Sequence, residues 1–181
     1  MIDDPLNGFL DAVTADLKAH FGHGLRQCAR HAGRFDTAEL ERFGTSAPAI
    51  LVALLGVGPG AEAGDGTVDH VLRLGAFVAA ADQGRAHRDT LAVGLVGSVL
   101  TRLPGQVWGR DDTHPVAART IRATNLYAST RGRGVALWGV EWQQAIRLGA
   151  PDFVTWPGTL GSLVAVGPGD ETVVWGGLDD G

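Results

Sequence analysis

The sequence predicts an α+β domain, an antiparallel-dominated sheet with helices packed on one side, followed by a small C-terminal β extension. Three observations carry this expectation. Residues 47–55 are an apolar run bounded by turn residues, residues 67–82 alternate apolar and polar side chains, and segments 4–21 and 86–103 repeat apolar residues at helical spacing.

The first element is an amphipathic helix over residues 4–21. Asp4 is placed to cap it, Pro5 fits the first helical position, and Leu6, Phe9, Leu10, Val13, Leu17 and Phe21 share one face. Gly22 and Gly24 end it. Residues 25–31 form a short polar stretch that suits an edge strand. A second, small helix follows, in which Asp36 and Glu39 form a capping box with Phe35 and Leu40 as its hydrophobic staple, and Gly44 stops it.

Residues 47–55 and 67–82 then read as a long hairpin around a Gly- and Pro-rich break at 56–66. In the second strand Val68, His70, Leu72, Leu74, Ala76 and Val78 fall on one face, with Asp69, Val71, Arg73, Gly75 and Phe77 on the other. A rival reading competes for the same residues. Gly56-Val57-Gly58-Pro59-Gly60-Ala61 has the G-x-G-x-x-A form of a dinucleotide fingerprint, and Asp82 stands where a ribose-binding acid would, which would make the chain a nucleotide-binding enzyme. That motif works only if a helix starts at its last glycines. Such a helix would contain Gly64 and Gly66, each costing about 1 kcal/mol relative to alanine, and the alternation beyond them favours strand.

The helix at 86–103 ends at Pro104-Gly105. Leu91, Leu95 and Val99 form one stripe, with Ala92, Val96, Leu100 and Leu103 beside it. Gly94 and Gly97 lie one turn apart and would let the backbone approach the core closely, or alternatively a neighbouring subunit. After a loop at 106–115, strands are expected at 117–128 and 135–148, joined by a turn at 129–134 whose tip carries Arg131 and Arg133. In the last strand Trp138, Val140, Trp142, Ile146 and Leu148 take one face, and Glu141, Gln143 and Arg147 the other. Residues 1–149 therefore read as one domain. Residues 150–181 read as an extension with a hairpin, formed by an apolar run at 160–166, a Gly-Pro-Gly turn and residues 172–175. Its apolar content, including Phe153, Trp156, Leu160 and Trp175, is too great for a solvated tail and too small for its own core.

Composition narrows the function classes. A formal net charge of -5 argues against general affinity for nucleic acid or anionic membrane, because such binding rests on phosphate neutralisation. The longest apolar runs fall far short of a membrane span. The single cysteine, Cys28, excludes an internal disulfide, and the acidic N-terminus lacks the basic region of a secretory signal, so a cytoplasmic setting is expected.

Three constellations invite a chemical reading. His20, His23, Cys28 and His31 have zinc-ligand types, but their spacing fits no standard module. Asp69 and His70 are adjacent in a strand and so point to opposite faces. Asp111, Asp112, Thr113 and His114 suit a solvated turn better than a cation site. Neither G-x-S-x-G nor a P-loop occurs. No catalytic residue, cofactor-binding residue or metal ligand is expected.

Across roughly residues 6–148 the chain resembles the Mu-like phage tail terminator (tail-completion) proteins. The likeness rests on the N-terminal amphipathic helix, the capped helix at 35–43, the Pro48-Ala-Ile-Leu-Val-Ala strand, the strand at 71–81 with Phe77-Val78, the long Leu-rich helix, and the closing Leu137-Trp-Gly-Val-Glu-Trp strand. The resemblance implies a non-enzymatic virion protein, assembled in the bacterial host cytoplasm. It would form a homo-oligomeric ring, hexameric by analogy, with the tail tube and sheath proteins and the head–tail connector as its partners. It implies neither a membrane nor sequence-specific nucleic acid as partner. Another structural role in the same particle, as a connector or baseplate component, is an alternative.

Overall fold

The computed structural model describes residues 4–33, 46–64, 66–126 and 134–149, together with the backbone of residues 164–165 and 173–174. The chain divides into two units, Met1–Pro151 and Asp152–Gly181. In the first, helix α1 (Pro5–Phe21) is followed by a 3-10 turn (Gly22–Gly24), strands β1 (Gln27–Arg30), β2 (Ala49–Glu62) and β3 (Val68–Ala81), helix α2 (Arg88–Arg102), and strands β4 (Arg122–Asn125) and β5 (Val135–Leu148). In the second, β6 (Val164–Ala165) pairs antiparallel with β7 (Val173–Val174), in the two stretches read as a hairpin.

The five strands form one sheet in the order β1-β2-β3-β5-β4, antiparallel except for the β1–β2 pair, with both helices on one side. This is the α+β arrangement the sequence predicts. The Asp4 carboxylate accepts the Asn7 backbone N–H at 3.1 Å, so the start of α1 is capped as expected. Phe9, Leu10, Val13 and Leu17 of α1, and Ala92, Val96 and Val99 of α2, are the buried residues of the two helices. The main cluster of these meets Ile50, Val52, Leu72, Leu74, Val78, Val140, Trp142 and Ile146 on the inner face of the sheet.

Near the start of β2 the outer face is buried too, through Leu51, Ala53, Phe77, Ala79 and Leu137, with Leu126 packed against them. Burial on both faces explains why residues 47–55 read as an unbroken apolar run, whereas one-sided burial further along gives alternation. Leu72 and Leu74 are buried while Val71 and Arg73 are exposed.

The Gly- and Pro-rich segment is strand, not the expected break. β2 continues to Glu62, with register irregularities between Leu54 and Gly56 and between Val57 and Gly60, and the hairpin closes where Ala63 N–H bonds Thr67 O at 3.0 Å. Bulges absorb residues that a regular ladder would reject, and Pro59 sits inside the second one, where its missing N–H breaks no paired bond. β1 covers the outer edge of β2 only from Ala49 to Val52.

The strand expected at 117–128 begins later than predicted. Residues Ala118–Thr120 form a 3-10 turn, and Arg122–Asn125 pair with β5, with Leu126 N–H bonding Leu137 O beyond them. Thr120 is the reason. Its hydroxyl donates to Ala117 O at 2.8 Å and accepts from Gln143 N–H at 3.3 Å, so a side chain replaces the ladder there. The capped helix expected around Asp36 and Glu39, and the basic tip with Arg131 and Arg133, lie outside the described residues.

Gly94 and Gly97 do not serve the core. A Cβ built at either meets no atom within 4 Å, and both lie on the exposed side of α2. Gly60 is the opposite case, since its Cβ would fall 2.3 Å from Val68 Cγ1 and 2.9 Å from His70 Cε1. Gly60→Ala is therefore expected to destabilise the domain by roughly 1–3 kcal/mol through overpacking, while Gly94→Ala stabilises it by about 0.5–1 kcal/mol. Urea unfolding of the two variants against the parent measures both signs.

Candidate functional site

The sheet is longer than its helices. Three strands of 14 residues each span about 46 Å at 3.3 Å per residue, whereas the 15 residues of α2 span about 22 Å. The inner face beyond α2 is covered by the loop between α2 and the 3-10 turn at Ala118, and polar side chains fasten that loop down.

Gln144 is the centre of this fastening. It lies on β5 between Trp142 and Ile146, facing inward, and is 3% exposed. Its Oε1 accepts from Trp108 Nε1 at 2.7 Å, and its Nε2 donates to Gln106 O at 3.0 Å and His114 O at 2.7 Å. Trp108 holds a positive φ of 57°, a conformation rare for a bulky residue. The indole bond and the neighbouring Trp142 ring, 6.5 Å away between centroids, hold it there. Thr113 adds a bond from its hydroxyl to Val107 O at 2.8 Å, and the backbone joins β5 through His114 N–H to Ala145 O and Arg147 N–H to Asp112 O.

On the outer side, Asp69, near the start of β3, ties the same loop to the end of the sheet. Arg147 donates to Asp69 through Nε at 2.8 Å and Nη2 at 3.0 Å, and His114 Nε2 lies 3.0 Å from Asp69 Oδ2. The hydrogen bond from Arg147, followed by its charge and that of His114, holds the Asp69 carboxyl below the ordinary carboxylate range. A carboxylate engaged in this way is a poor general base. The chemistry of the cluster is that of a clamp.

The structure separates the other sequence candidates. His20 packs edge-on against Phe21, and His31 Nδ1 accepts the Gly33 N–H at 3.0 Å. The Cys28 thiol sits 3.7 Å from Thr14 O, and burial pushes its pKa up, away from the reactive thiolate. Asp112 pairs with Arg110. Among the described residues, no three His, Cys, Asp or Glu side chains come together as a metal site. Nor is any helix among them long and apolar enough to cross a membrane.

The dinucleotide alternative fails on geometry. Gly56 pairs opposite Arg73 and Gly60 opposite His70, inside a strand that precedes a turn and another strand, so no helix N-terminus meets the glycines. Asp82 follows the far end of β3, roughly 30–40 Å from those glycines at the strand rise. Its carboxylate accepts the Arg88 N–H at 2.8 Å and so caps the start of α2. An open cleft of about 650 Å³ lies beside it, lined by His23, Gly24, Arg26, Pro48, Asp82, Gln83 and Gly84.

Neither Gln144 nor the Asp69–His114–Arg147 cluster stands out in the sequence. The signal for Gln144 is its parity, a polar residue on the inward face of an otherwise apolar strand. The partners of Asp69 are 45 and 78 residues away, beyond the reach of local spacing.

No protein-family model matches the chain, and no curated protein matches it either.

Two outcomes test the clamp. Gln144→Leu removes the partner of the Trp108 indole and of two carbonyls, and is expected to cost about 2–4 kcal/mol, with faster amide exchange across residues 106–116. Unchanged exchange would show that the loop is held some other way. For Asp69 the folded carboxyl titrates below its ordinary value, so its contribution is complete above that value and is lost as pH falls through the lowered one. The stability gap between the parent and Asp69→Asn should therefore close on acidification, as read by thermal melts across the acid range.

Proposed function

We propose that this chain is a non-enzymatic structural protein of a phage or phage-derived tail. It assembles as a homo-oligomeric ring that stops growth of the tail tube and sheath and presents a surface to the head connector. The observation that carries the reading is the order of elements. Of the six features behind the resemblance to tail terminator proteins, five coincide with elements of the fold in the same sequence: α1, β2, β3, α2 and β5. The sixth, the capped helix at 35–43, lies outside the described residues.

The sheet's two edges support the same reading. A ring needs a heterologous contact, in which one surface of a subunit meets a different surface of the next. β1, half-buried and paired in parallel, and β4, with all four residues exposed, are unlike edges of the kind such a contact requires.

Sedimentation velocity with negative-stain microscopy is the test. A single closed ring that caps purified tail tubes is the expected result, and a monomer at every concentration that leaves tubes uncapped overturns the proposal. The segment after Gly149 is proposed as the assembly arm, since it carries apolar surface that must be buried. Deletion after Gly149 should leave a folded monomer that no longer forms rings. Unchanged assembly refutes the arm, and an unfolded truncation assigns the segment to the subunit's own core.

A further inference from the structure

We draw no further inference here: the strongest candidate, the uncharged outer stripe of α2 through Val93, Gly94, Gly97 and Leu100, is an unpartnered apolar helix face, and nothing in the structure shows what covers it.

Discussion

Strand β3 is hydrogen-bonded on both sides, to β2 from Val68 to Ala79 and to β5 from Val68 to Ala81, and the other elements take their places from it. The pairing is all-or-none in one respect. A slip of one residue would turn Arg73 into the core and take Leu72, Leu74, Ala76 and Val78 off the face that α1 and α2 cover. Because both helices pack on the face those four residues supply or border, the register of β3 also fixes where α1 and α2 can dock. The hairpin tip is free to be irregular for the same reason. Its bulges lie where β1 no longer pairs and the helices no longer reach.

The mismatch between long strands and short helices creates the second constraint. An inner sheet face left in water would expose Leu72, Trp142 and Ile146, so a loop must cover it, and a loop brings backbone polar groups that need partners. Gln144 answers both requirements at once. One carboxamide supplies an acceptor for the indole and two donors for carbonyls, which an apolar residue at that position would leave unpaired. The Asp69 cluster repeats the fastening outside, where water competes and each bond contributes less. Loss of the inner contact should therefore matter more than loss of the outer one.

What was legible in the sequence was local periodicity. The cap of α1, the faces of β3 and the limits of β5 follow from side chains within a few residues of one another, and spacing reports them faithfully. Two readings went astray where a tertiary partner outweighed a local signal. Gly58, Pro59 and Gly60 are turn formers by composition, yet β3 alongside draws them into a bulged strand. Thr120 favours a strand by propensity, yet its hydroxyl finds the backbone of Gln143 and ends the pairing early. The loop clamp was illegible for a related reason, because its members come from β3, the loop and β5 and share no spacing.

Glycine shows the limit of such reading most sharply. Gly60 and Gly94 look alike in sequence, each flanked by small or apolar residues and each costly by propensity. Their neighbours in space make them opposites. At Gly60 the Val68 and His70 side chains occupy the volume a Cβ would need, so the residue is required by the fold. At Gly94 that volume is open space, and the described residues give no reason for glycine there. The energetic meaning of a glycine thus lies in what the rest of the chain places beside its missing Cβ, which becomes visible only once the register of the central strand is known.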